Sequence, residues 1–129
     1  VAGVVYTAHR SYRGADRLDI TLAAQDPVGR HFAPAPEDFR VFHARRVAGT
    51  ATAADWEAYC AAYAAHMRAS AQAHPEVWAE LLARPRVTLV CACPRGVPCH
   101  RRELARMLVG LGASDGGERR IGKRGDARE

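Results

Sequence analysis

Aromatic residues are few in this 129-residue chain: three phenylalanines, four tyrosines and two tryptophans, although the hydrophobic class takes 48% of the sequence. Much of the apolar share is alanine, so the core must depend on a small set of large side chains. No apolar run approaches the roughly 18 residues of a membrane-spanning helix, and nothing resembles a signal peptide. No membrane association is therefore expected, and the cytoplasm is the expected location. Zinc-finger spacing, a named recognition helix and an RNA-binding aromatic motif are all missing, which argues against sequence readout of a nucleic-acid duplex. The four cysteines would permit two disulfides, but Cys91 and Cys93 form a CxC pair that cannot easily close on itself. Their surroundings also read as a strand-loop-helix unit rather than a secreted scaffold, so reduced thiols are expected.

The length allows one domain and one core. We expect a small single α/β domain over residues 1–113, with a short, mostly parallel sheet flanked by helices, and a charged disordered tail over 114–129. That tail carries five basic and four acidic residues, so it does not account for the formal charge of +5 and the pI of about 9.4. A net positive charge admits an anionic small molecule or a nucleic acid as partner through electrostatic steering.

Most of the chemistry-bearing residues are concentrated in residues 87–102, VTLVCACPRGVPCHRR. Val87, Thr88, Leu89 and Val90 form a short apolar, partly β-branched run, the pattern of a buried strand ending at Cys91. Pro94, Gly96 and Pro98 then break any regular element. From Cys99 onward, Leu104, Leu108 and Leu111 recur at helical spacing until Gly112. Cys99, His100 and Arg101 thus fall at the start of a helix, where free backbone N–H groups and the dipole favour an anion and lower a thiol's pKa. Cys99 is the candidate nucleophile and His100 a proton carrier. Arg101 is the arginine expected to face a pocket, and Cys93 an accessory or resolving thiol. Zinc ligation by Cys91, Cys93, Cys99 and His100 is disfavoured by the spacing, so neither a metal nor a cofactor is expected.

At the other end of the chain, Val1 to Tyr6 reads as a strand that delivers His9 and Arg10 to its carboxyl end. If it runs parallel to the strand at 87, both lie at the edge where open α/β sheets place ligands. His9 is a second candidate proton carrier; Arg10 and Arg13 are candidate phosphate binders. Tyr12 and Phe32 could either stack on a base or pack a proline-rich lid over residues 25–38, of which Phe32 would be the anchor. Ile20 to Ala23 is either a short strand or an apolar plug.

The helices are clearer. Residues 39–48 are the exception: Phe39, Phe42 and Arg46 suit a helix and Phe39, Val41 and His43 a strand, and Pro36, Glu37 and Asp38, which resemble a first turn, favour the helix. Thr52 and Asp55 form a capping pattern ahead of an apolar stripe of Trp56, Tyr59, Cys60, Tyr63 and Met67. Pro75 to Ala83 forms one more helix. The Trp56, Tyr59 and Tyr63 face either covers the sheet or supports a dimer, leaving monomer and homodimer open.

YTAHRSYRGADRLDIT near the start, the helix with Trp56 and Tyr59, and RPRVTLVCACPRGVPCHRRELARML near the end together resemble a small bacterial family catalogued as domain of unknown function 488. The likeness spans roughly residues 3–113. It implies a compact α/β domain with a parallel sheet and a pocket built from both ends of the chain, and it brings no established reaction. The expected function is an enzyme for an anionic or phosphorylated, nucleotide-like substrate. Non-catalytic nucleotide or nucleic-acid binding and a structural or redox thiol site are the alternatives. The chain lacks the arginine spacing of the cysteine phosphatases, since Val97, Cys99 and Ala105 stand where that arginine would follow Cys91, Cys93 or Cys99.

Overall fold

The computed structural model describes residues 3–92 and 99–120. Four parallel strands, β1 (Val4–His9), β2 (Arg17–Asp19), β3 (Arg86–Cys91) and β4 (Ser114–Glu118), form one sheet in the order β2-β3-β1-β4. The helices are α1 (Pro36–Val47), α2 (Ala53–Ala73), α3 (Pro75–Ala83) and α4 (His100–Gly110). Among the described residues, no helix is long and apolar enough to cross a membrane.

Alternation along the strands sends Val5, Leu18, Val87 and Leu89 to one face. There they meet Tyr63 and Met67 of α2, Trp78 and Leu81 of α3, and Leu104 and Leu108 of α4. These are the few large side chains that the alanine-rich composition left available. Ala8 and Val90 point the other way and are covered by Tyr12. Beside them Asp16 accepts hydrogen bonds from Tyr12 (2.5 Å) and Thr88 (2.7 Å), while the Arg119 guanidinium lies 3.8 Å from the centre of the Tyr6 ring. Burial alone would raise the Asp16 carboxyl; those two hydrogen bonds and Arg119 outweigh it and hold the group below its usual range.

The helix expectations hold in detail. Pro36 opens α1 with Glu37 and Asp38 in its first turn. Gly49, at φ +75°, ends the helix in the left-handed conformation that glycine adopts without strain. Thr52 and Asp55 make a reciprocal capping box at the start of α2. Thr52→Ala is expected to cost about 1 kcal/mol, read as a lower midpoint in urea unfolding at unchanged slope. Trp56 and Tyr59 pack against Phe42 of α1, and Tyr63 enters the core, so the aromatic face of α2 is used within the chain. Ile20 proves to be a core residue following β2 rather than part of a strand.

Residues 114–118 correct the expectation of a tail disordered from Ser114. They form β4, parallel to β1. Pairing is supplied by backbone, and the glycines are what the packing needs: a Cβ on Gly116 would come within 2.5 Å of the Tyr6 ring, and Gly117 takes φ +81° where the register with β1 shifts. Residues 121–129 of the expected tail lie outside the described residues.

Candidate functional site

The carboxyl ends of β1 and β3 lie side by side, with His9 in register with Cys91. The chain returns from residue 99 directly into α4, with Cys99 as its N-cap. This return brings the sulfurs of Cys91 and Cys99 into contact, although their Cα atoms stand 7.6 Å apart, beyond the roughly 4.4–6.8 Å that a disulfide usually spans. Reduced thiols were expected. The contact is possible because the strand end and the helix start converge although eight positions separate them in sequence.

His100 is 3% exposed. Its Nε2 lies 2.8 Å from the backbone carbonyl of Ile20. A carbonyl only accepts, so Nε2 carries the proton and Nδ1 presents its lone pair, 3.6 Å from the Cys99 sulfur. Burial drives the imidazole pKa down to about 4, against the Ile20 hydrogen bond and helped by the charge of Arg101. His100 is therefore neutral at pH 7. The sequence marked the histidine but not the carbonyl that fixes its tautomer.

Arg101 is fully buried, and its guanidinium is occupied by protein groups. Nε and Nη2 donate to the two oxygens of Glu118 at 3.2 and 2.8 Å, and Nη1 donates to the Cys91 sulfur at 2.9 Å. Thr7 donates a short hydrogen bond to the same carboxylate. Burial raises the Glu118 pKa, but the bonds from Arg101 and Thr7 outweigh it and hold the carboxyl below its usual range. Arg101 thus contacts the Cys91 sulfur and the Glu118 carboxylate where an external anion was expected. No sequence signal identified Glu118, because a lone acid in a charged, glycine-rich stretch has no pattern.

The remaining candidates are dispersed. His9 is half-buried at the strand end, its Nδ1 2.9 Å from the Ser11 hydroxyl. Arg10 and Arg13 are exposed. Tyr12 lies on the opposite face, bonded to Asp16. Phe32 is completely buried against Trp78, an anchor for residues 25–38 in the sense expected but one whose ring is enclosed by protein. Cys93 lies outside the described residues. Cys60 is half-buried on α2, and burial followed by the charge of Glu103 pushes its thiol up to about 11, which makes it a poor nucleophile.

The α1 side of His100 borders open space. A cleft of about 150 Å³ is bounded by Thr21 and Leu22 after β2, Phe39, His43 and Arg46 of α1, and Ala92 and His100 at its base. A crevice of only about 10 Å³ beside it is lined in part by Cys99, which is 2% exposed. A larger groove of about 400 Å³ between α4 and β4 touches Thr7 and Glu118 but none of the cysteines; the smaller cleft touches His100 and no cysteine. Phe39, His43 and Arg46 went unassigned in the sequence, although their spacing of four and three residues places them on one helix face.

Cys91, Cys99 and His100 also offer three ligand atoms within 4.8 Å of one another. Their types suit a thiophilic ion such as zinc, with the Ile20 carbonyl orienting the imidazole as in many zinc sites. Ligation would require both sulfurs as thiolates, and hence the reduced pair.

Residues 4–110 match the family model described as the active DUF488-N3 subclade, DUF488-N3a. The chain belongs to the DUF488 family. The match takes in β1, β3 and all of α4, and with them every side chain of the cluster except Glu118. No curated protein and no solved structure matches this DUF488 domain.

Proposed function

We propose that this DUF488 domain is a thiol enzyme acting on an anionic, phosphorylated substrate, with Cys99 as nucleophile and His100 as its base. One observation carries the reading: the Nε2 proton of His100 is committed to Ile20, so the free lone pair of Nδ1 faces the Cys99 sulfur. Nucleophile, base and orienting group stand in the relation that general-base activation of a thiol requires. The N-terminus of α4 favours the thiolate. The family model's description of its subclade as active agrees with this reading.

In the reduced enzyme Nδ1 takes the Cys99 proton. The sulfur forms a bond to the electrophilic atom of the substrate as the leaving-group bond breaks, and the departing group receives the proton from His100. Water then hydrolyses the adduct and restores the thiol. Cys91, with Arg101 against its sulfur, is the partner that closes the disulfide under oxidation. Arg46 at the cleft and Arg10 at the end of β1 supply the positive rim that attracts the anion.

The test is direct. Reduced protein incubated with a panel of nucleotides and phosphoesters, then quenched and weighed intact, is expected to carry an adduct on Cys99. The adduct is absent in Cys99→Ser and present in Cys60→Ser. An adduct on Cys91, or no adduct and no product with any compound, rejects the role of Cys99. Stoichiometric cobalt binding with thiolate charge-transfer absorption, in a protein whose metal-free form gives no adduct, would assign Cys91, Cys99 and His100 to a metal centre instead.

A further inference from the structure

Cys91, Cys99 and His100 are three metal-ligating side chains almost sealed from solvent, at 1%, 2% and 3% exposure, and their ligand atoms all lie within 4.8 Å of one another. Adjacency in sequence disfavours Cys99 and His100 as ligands of one ion, but the backbone removes that objection here. Cys99 is extended as the N-cap, at φ −151° and ψ 151°, while His100 already belongs to α4. The change of direction leaves the Cys99 sulfur and Nδ1 of His100 3.6 Å apart. The two cysteines point the same way. Their Cα atoms, 7.6 Å apart, stand outside the usual span of a disulfide. A tetrahedral zinc with Zn–S bonds of about 2.3 Å holds its sulfurs about 3.8 Å apart and does not ask the backbone to approach so closely.

The surroundings hold these ligands in place. The Ile20 carbonyl accepts the Nε2 proton at 2.8 Å, and the Ile20 amide donates in turn to the Val90 carbonyl of β3 at 3.1 Å. The sheet thus orients the imidazole, and Nδ1 is left as the ligating nitrogen. Arg101 donates to the Cys91 sulfur at 2.9 Å, a bond that a thiolate accepts more strongly than a thiol. Charge and softness select the ion. Arg101 and Glu118 already pair within the cluster, so two buried thiolates add two negative charges, which burial opposes and a divalent cation cancels. Thiolate and imidazole suit zinc, whereas magnesium and calcium take oxygen ligands.

We propose that the reduced chain binds one Zn²⁺ through Cys91, Cys99 and Nδ1 of His100, and that this ion holds the thiol site in an inactive state. On binding, each thiol releases its proton to solvent and each sulfur forms a bond to the ion, and no oxidant or reductant takes part. The ion covers both atoms on which the proposed chemistry depends, the Cys99 sulfur and the Nδ1 lone pair. Binding stands independently of that chemistry; the inactive state rests on it.

The experiment titrates the full chain, metal-free and kept reduced by a non-thiol reductant, with Co²⁺ and then with Zn²⁺. One equivalent of Co²⁺ is expected to give thiolate charge-transfer absorption and the visible bands of a tetrahedral site, and one equivalent of Zn²⁺ to abolish them. Cys91→Ser and Cys99→Ser should each weaken binding by more than the roughly 10- to 100-fold that loss of an outer-shell partner costs, and Cys60→Ser should bind like wild type. The wild-type spectrum requires no variant to fold: Co²⁺ bound without charge transfer, or only at several loose sites, would overturn the metal site. An adduct on Cys99 that forms in metal-free protein and is suppressed by one equivalent of Zn²⁺ supports both halves of the proposal. The same adduct in zinc-loaded protein would overturn the inactive state. Zinc binding in a protein whose metal-free form gives no adduct would keep the metal site and reject the thiol mechanism, and an adduct in a protein that binds neither ion would do the reverse.

Discussion

Glu118→Gln is expected to destabilise the domain by about 3–5 kcal/mol, the usual cost of removing one partner from a buried ion pair. The size of the effect follows from what is left behind. Arg101 is fully buried, and without the carboxylate it loses the charged acceptor of the bonds that Nε and Nη2 donate. Thr7 loses its carboxylate acceptor as well. Against a total stability of roughly 5–15 kcal/mol for a domain, this is a large fraction. Urea unfolding of wild type and variant, with both held oxidised, measures it. The double variant Arg101→Met, Glu118→Leu should be less destabilised than the sum of the two single changes, because it removes the stranded charge together with its partner. A Glu118→Gln protein within about 1 kcal/mol of wild type, no more than an exposed pair contributes, would mean that the pair does not anchor β4 to α4.

The same pair explains why part of the site could be read in the sequence and part could not. Val87–Val90 is apolar and β-branched, Cys99 begins a run of leucines at helical spacing, and the ends of the intervening loop had to meet wherever strand and helix packed together. Those are local signals, and the Cys91, Cys99 and His100 cluster follows from them. The partner of Arg101 is different in kind. Glu118 sits in SDGGE, which has no β-branched or aromatic residue, and it becomes a strand only because β1 offers an open edge and Gly116 leaves room for Tyr6. Arg101 therefore read as an anion binder, when the fold had already given it a carboxylate. Phe32 and Tyr12 illustrate a related effect. Both lie in loops next to the expected ligand edge, but a chain with so few large residues uses them to cover the sheet and fill the core. Phe39, His43 and Arg46 lie on a helix whose apolar pattern is weak, and the cleft they border exists only once α1 has packed against the residues following β2 and β3.

Acid should weaken the oxidised domain well before its carboxylates titrate. His100 has a pKa of about 4 in the fold against an ordinary value of 6.5, so between those values the unfolded chain holds a proton that the folded one does not. Stability then rises with pH across this window, by about 1.4 kcal/mol per unit. The loss on going from pH 7 to pH 4 is about 3 kcal/mol from this residue. His31, its pKa lowered first by burial and then by His74, adds a smaller change of the same sign. Asp16 and Glu118 are held below their ordinary range, so their contributions are present above the unfolded carboxylate value and are lost only as pH falls through their folded values. The interval from pH 5 to 6.5 consequently belongs mainly to His100. Urea unfolding at several pH values should show the slope in wild type and a much flatter line in His100→Asn. The reduced protein supplies the sharper comparison. If Cys99 and His100 form a thiolate–imidazolium pair once the disulfide opens, the folded pKa of His100 rises above 6.5 and the sign inverts, with stability lost as pH increases through the new value. A slope of the same sign in both redox states would mean that His100 stays neutral beside a thiol, acting as a base that must be approached by substrate before the proton moves.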